Sequence, residues 1–65
     1  MTIRCILGAA ITRHTDTRQT TARVTWLDAR KHQHEAVGCY PASNHIRDLL
    51  LRAMREGVTV TREEF

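Results

Sequence analysis

The side chains of this 65-residue chain with the widest chemical reach are its two cysteines, Cys5 and Cys39, and its four histidines, His14, His32, His34 and His45. Cys39 with His34 or His45 has the composition of a thiol nucleophile and its base, but no third residue is spaced to orient such a pair and no motif supplies an oxyanion site. His32 and His34, two apart on an extended chain, would point the same way, with Cys39 or Cys5 to complete a zinc site. Their spacing departs from the usual C-x2-C and H-x3-H ligand patterns, so neither a metal nor another cofactor is expected. A glycine-rich phosphate loop is also missing from the sequence. With no set of nucleophile, base and charge stabiliser, the expectation is a chain that is not an enzyme.

Binding chemistry is better represented. Nine of the ten basic residues are arginine, the cation that forks onto carboxylates and phosphates and that interfaces favour over lysine. From Asn44 to Glu56, Ile46, Leu49, Leu50, Ala53 and Met54 recur at i, i+3, i+4, i+7 and i+8, the stripe of a helix packed on one side. Arg47, Leu51 and Arg55 form a second stripe away from that core face. An apolar centre between two arginines matches the composition of a protein contact. Asp48 with Arg52, and Arg52 with Glu56, are read as ordinary i, i+4 helix pairs.

The net charge is +3, but it is unevenly spread. Residues 1–34 hold Arg4, Arg13, Arg18, Arg23, Arg30 and Lys31 against Asp16 and Asp28, whereas residues 35–65 hold four arginines against five acids. A basic first half favours an acidic partner, either a protein face or nucleic acid. Arg4, Arg23, Arg30 and Lys31 are the candidates for steering such a partner or for contacting phosphates, with Tyr40 joining Arg4, Arg23 and Thr25 on the outer face of a sheet. The single Trp, Tyr and Phe fall short of the interleaved aromatics of an RNA-recognition surface.

These residues need elements to hold them. Alternation puts Ile3, Cys5 and Leu7 on the helix side of a first strand and Thr2, Arg4 and Ile6 on the other, with Gly8 marking a bulge and the strand running toward Ile11 or Arg13. Residues 15–20 read as a polar loop. Ala22, Val24 and Trp26 alternate with Arg23, Thr25 and Leu27 in a second strand, and Asp28 to Gln33 reads as a charged turn. A third strand, about His34 to Tyr40, ends at Pro41, and its faces do not separate cleanly. Ser43 or Asn44 caps the helix, Gly57 closes it, and Val58 to Thr61 resumes strand alternation. The fold class expected is α+β: one domain spanning residues 1–65, a small antiparallel sheet of three to four strands packed on one amphipathic helix, in the order ββ(β)αβ. In element order alone, this resembles the small sheet-plus-helix modules that some DNA-binding proteins and phage integrases carry.

A hydrophobic fraction of 42% with 26% charged residues is a globular composition. A core this small contributes at most about 3 to 5 kcal/mol, which makes a homodimer a natural supplement. The opening segment is interrupted by Arg4 and is not a signal peptide, and no run is long enough to span a membrane. A cytoplasmic location with reduced thiols is therefore expected, and a membrane partner is not. The functional expectation is a small regulatory or inhibitor-type binding module, of the kind mobile elements often encode, acting by protein contact through Arg47, Leu51 and Arg55. The alternative is direct nucleic-acid binding through Arg4, Arg23, Arg30 and Lys31.

Overall fold

Three runs of small and β-branched residues separated by polar turns form β1 (Ile3–His14), β2 (Gln19–Asp28) and β3 (Gln33–Cys39), followed by helix α1 (Asn44–Arg55) and β4 (Val60–Glu64). The computed structural model describes residues 3–64; the place expected for Thr2 in the first strand falls outside them. The sheet order is β3-β2-β1-β4, with β1 and β3 antiparallel to β2 and β4 parallel to β1. The α+β class and the element order are as expected, while the last strand makes the sheet mixed rather than wholly antiparallel. Its direction follows from the helix. A helix of 12 residues runs about 18 Å back along the sheet, so the chain turns again and β4 starts beside Ala9, level with Ala36 at the middle of β3, and runs along β1 in the same sense.

β1 departs from simple alternation. Its inward positions are Ile3, Ile6, Ala9 and Ile11, and Cys5 and Leu7 are not among the buried residues. The steps of three coincide with register shifts against β2 between Ile3 and Cys5 and between Ile6 and Gly8. Each shift inserts one residue and turns the following side chains to the other face. Leu7, expected inside, is therefore 47% exposed, and Ile6 takes its place. The bulge expected near Gly8 is present. A Cβ there would meet nothing within 4 Å, so it is the extra residue and not close packing that marks the position.

The core lies between the sheet and one side of α1: Ile6, Ala9, Ala22, Val24 and Trp26 meet Ile46, Leu49, Leu50 and Ala53. Ser43 is the N-cap, its Oγ accepting from the Ile46 N–H at 3.4 Å. At the other end Gly57 takes φ +77°. The Gly57 N–H donates to the Met54 carbonyl and the Val58 N–H to the Ala53 carbonyl, the paired bonds of a glycine C-cap. Met54, expected in the core stripe, is half-exposed. At 100° per residue it lies 40° beyond Leu50, on the side turning away from the sheet.

β3 alternates regularly after all, with Ala36 packed against the core and Glu35, Val37 and Cys39 exposed. Its faces are hard to separate in the sequence because the inward residues are small where the helix comes closest. A Cβ on Gly38 would sit 2.8 Å from Ile46 Cγ1. Cys5 pairs with Leu27 and Cys39 with Thr21, which separates the thiols by about 20 Å along β2 at 3.3 Å per residue. No disulfide can join them within one chain. Tyr40, expected on the outer face, packs instead against the core; continuing the β3 alternation puts it on the same side as Ala36 and Gly38.

Two stability outcomes follow from this packing. Leu50→Ala removes a side chain that is 1% exposed and should cost about 2 to 5 kcal/mol in urea unfolding. Gly38→Ala should cost about 1 to 3 kcal/mol by overpacking, and because the crowded atom is Ile46 Cγ1, its combination with Ile46→Ala should cost less than the sum of the two single changes.

Candidate contact face and basic end

The outward side of α1 carries Arg47, Leu51, Met54 and Arg55. Leu51 and Met54 are each 50% exposed, and with Arg55 they line a shallow depression. Arg47 donates from Nη2 to Asn44 Oδ1 at 3.0 Å, which orders it along the helix and leaves its charge without an acidic partner among the described residues. The sequence stripe of Arg47, Leu51 and Arg55 is thus reproduced and widened by Met54. The missed signal was Met54's place at the margin of the apolar stripe, where an adaptable thioether faces solvent.

The next strip of the helix has a different task. Arg52 Nε donates to Glu56 Oε2 at 2.8 Å, and Arg52 Nη2 donates to the Ile3 carbonyl at 2.7 Å. The other oxygen of Glu56 accepts from the Ile6 N–H at 2.9 Å. β4 pairs with β1 only from Ala9 to Arg13, so these two side chains satisfy backbone groups that no strand reaches. The Glu56 carboxyl is held below its ordinary value, first by the Ile6 N–H and then by Arg52. The Arg52–Glu56 pair expected from spacing is present, with a tertiary role that spacing could not reveal.

Arg4, Arg30 and Lys31 gather at one end of the sheet. Ile3 is the partner of Asp28 in the β1–β2 register, so Arg4 lies beside the strand end from which the Arg30–Lys31 turn departs. All three are exposed. Arg23 stands apart, midway along β2, with its Nε 3.3 Å from Glu35 Oε1. That pairing and the threonines around it give the outer sheet face little net charge. The four candidate basic residues therefore divide into an end cluster of three and one cation that already has a partner.

Asp28 organises the turn. Its Oδ1 accepts from the Arg30 and His32 N–H groups at 2.8 and 2.9 Å, and its Oδ2 lies 2.8 Å from His34 Nε2. The backbone closes with the Lys31 N–H donating to the Asp28 carbonyl and the Asp28 N–H to the His32 carbonyl. Lys31 takes φ +66°, the left-handed position that usually holds Gly or Asn in such a turn. The bonds from His34 and from the His32 N–H lower the Asp28 carboxyl from its ordinary 3.8 to about 2. His34 in turn stacks on Trp26, with ring centroids 5.6 Å apart and planes 17° from parallel. His32 and His34 thus converge on a carboxylate. Among the described residues no group of three or more His, Cys, Asp or Glu side chains is arranged to hold a metal ion.

His34 lies on the helix side of β3 and Cys39 on the outer side, so that Cys–His pair is not formed. Among the described residues no helix is long and apolar enough to cross a membrane. Comparison with protein-family models, with curated proteins and with solved structures finds no significant match.

The lowered Asp28 carboxyl fixes the sign of an acid effect. Its contribution is fully present above the ordinary carboxylate range and is lost as pH falls from about 4 through about 2. Thermal melts should show stability declining across that window. Asp28→Ala should be less stable at neutral pH and decline less on acidification, the residual slope coming largely from Glu56. Parallel curves for the two proteins would refute the assignment.

Proposed function

We propose that this chain is a small non-enzymatic binding module of regulatory or inhibitor type, and that it occludes a protein partner through the outward face of α1. The observation that carries the reading is the juxtaposition of half-exposed Leu51 and Met54 with Arg47 and Arg55. Leu51 and Met54 supply an apolar anchor, and the two arginines fit acidic groups around the pocket that receives it. Arg55, in the last helical turn, also benefits from the partial negative charge of the helix C-terminus and from the nearby Glu56 carboxylate, whose first partners are the Ile6 N–H and Arg52.

The same charges argue for a different molecule rather than a second copy on this face. A two-fold axis through Leu51 would set Arg47 of one chain opposite Arg55 of the other, which repels. Arg4, Arg30 and Lys31 would act earlier, raising the rate of encounter with an acidic surface without entering the final contact.

A second reading has its own support in the clustering of Arg4, Arg30 and Lys31 at one end. It is direct nucleic-acid binding, with these side chains on phosphates. Its signature is a steep loss of affinity with salt, since each neutralised phosphate releases counterions.

One comparison separates the two. In the protein-contact reading, a partner captured by the wild-type chain should be lost with Leu51→Asp and weakened at least about tenfold with Arg47→Glu plus Arg55→Glu, because centrally placed apolar and arginine anchors carry most of an interface's energy. The amide spectrum of the isotope-labelled chain should meanwhile stay unmoved by mixed DNA and RNA oligonucleotides. Salt-sensitive shifts around Arg4, Arg30 and Lys31, with capture indifferent to Leu51→Asp, would overturn that reading in favour of nucleic acid.

A further inference from the structure

The sheet has two edges, and they are guarded very differently. β4 is short and carries Arg62, Glu63 and Glu64, the charged pattern that discourages another strand from pairing. β3 runs for 7 residues, has no proline and pairs with β2 without a register shift. Its only acid is Glu35, already beside Arg23, and Val37 at 59% is the most exposed large apolar residue described.

The hydrogen-bond phase of this edge can be read from its two ends. The Asp28 N–H donates to the His32 carbonyl, and the Tyr40 N–H donates to the Thr20 carbonyl. Together with the register of Trp26 with His34 and Val24 with Ala36, these bonds make the even-numbered residues of β3 the ones that exchange bonds with β2. Antiparallel pairing alternates, so Gln33, Glu35, Val37 and Cys39 turn their N–H and C=O groups outward. Of these, only the Cys39 carbonyl is occupied, by the Ser43 N–H at 3.0 Å.

We infer that this edge pairs with the same edge of a second copy, antiparallel about a two-fold axis at Ala36, joining two sheets into one. In that register Glu35 and Val37 of one chain exchange both backbone bonds with Val37 and Glu35 of the other. The free Cys39 N–H meets the Gln33 carbonyl of the second copy. No like charges face each other: Glu35 lies opposite Val37, whereas moving the axis to Glu35 would oppose two carboxylates. This register also uses the whole length of the strand. The pairing leaves the outward face of α1 free, so it is independent of the proposed partner contact.

A seven-residue edge buries far less than the roughly 1,600 Å² of a standard stable interface, so the dimer should be weak and visible at high concentration. The test is sedimentation velocity on the full chain from low micromolar to millimolar concentration, paired with residue-resolved amide exchange over the same range. The mass should rise toward that of two chains, and the Glu35 and Val37 N–H groups should gain protection in step. Ala36 and Gly38, already bonded to β2, should change little. Val37→Glu, which sets a carboxylate opposite Glu35 of the second copy on both sides of the axis, should remain a monomer throughout, and Leu51→Asp should dimerise like the wild type. A monomer at millimolar concentration would overturn the inference, as would a dimer in which Glu35 and Val37 exchange as before. So would a dimer lost with Leu51→Asp and kept with Val37→Glu. Should Val37→Glu fail to fold, the exchange pattern of the wild-type chain decides the question alone.

Discussion

One 12-residue helix has to close one face of a four-stranded sheet, and most of the structure answers to that constraint. A helix cannot cover a sheet of this width evenly, so the fully enclosed core is a narrow strip under Ile46, Leu49, Leu50 and Ala53. The strands meet it with small residues where it comes closest, Ala9, Ala22, Ala36 and Gly38, and with large ones, Ile6 and Trp26, where space opens. Beyond the strip, backbone groups of β1 would remain unsatisfied. Arg52 and Glu56 extend the helix's reach to them through hydrogen bonds.

The same constraint explains which surfaces are left over. With its core stripe turned down and the Arg52–Glu56 strip turned toward β1, the helix has one side with no task inside the fold. That side bears Arg47, Leu51, Met54 and Arg55. The outer face of the sheet has no helix over it, and its side chains are mainly threonine and small residues, with Arg23 balanced by Glu35. Apolar exposure is therefore concentrated at the helix, at Leu7 beside the β1 bulge and at Val37 on the open edge.

What could be read in the sequence follows the same division between local and long-range causes. The helix, its cap at Ser43 or Asn44 and its closure at Gly57 were legible because a period of 3.6, a capping side chain and a left-handed glycine are local signals, and the structure selects Ser43. β2 was legible because Ala22, Val24 and Trp26 keep strict alternation. The inward set of β1 was not, since two inserted residues are defined only against the register of β2. The direction of β4 depends on where the helix delivers the chain, which no local pattern records. Among the candidate site residues, Arg47, Leu51 and Arg55 could be placed from the helical period alone. The partnership of Arg23 with Glu35 required the β2–β3 register, and the role of Arg52 and Glu56 required a contact about fifty residues away in sequence.

Those distant contacts also determine how the fold can be assembled. The β1–β2 and β2–β3 hairpins close short loops and need little chain to be in place. The pairing of Ala9 with Val60, the bond from the Ile6 N–H to Glu56 and that from Arg52 to the Ile3 carbonyl all join opposite ends of the sequence. They carry the largest loop-closure entropy in the molecule and repay it only once the helix is formed and seated. β1 is thus an interior strand of the finished sheet that remains an edge strand for most of the route to it, with its apolar residues and backbone groups open to other chains until the helix and β4 arrive.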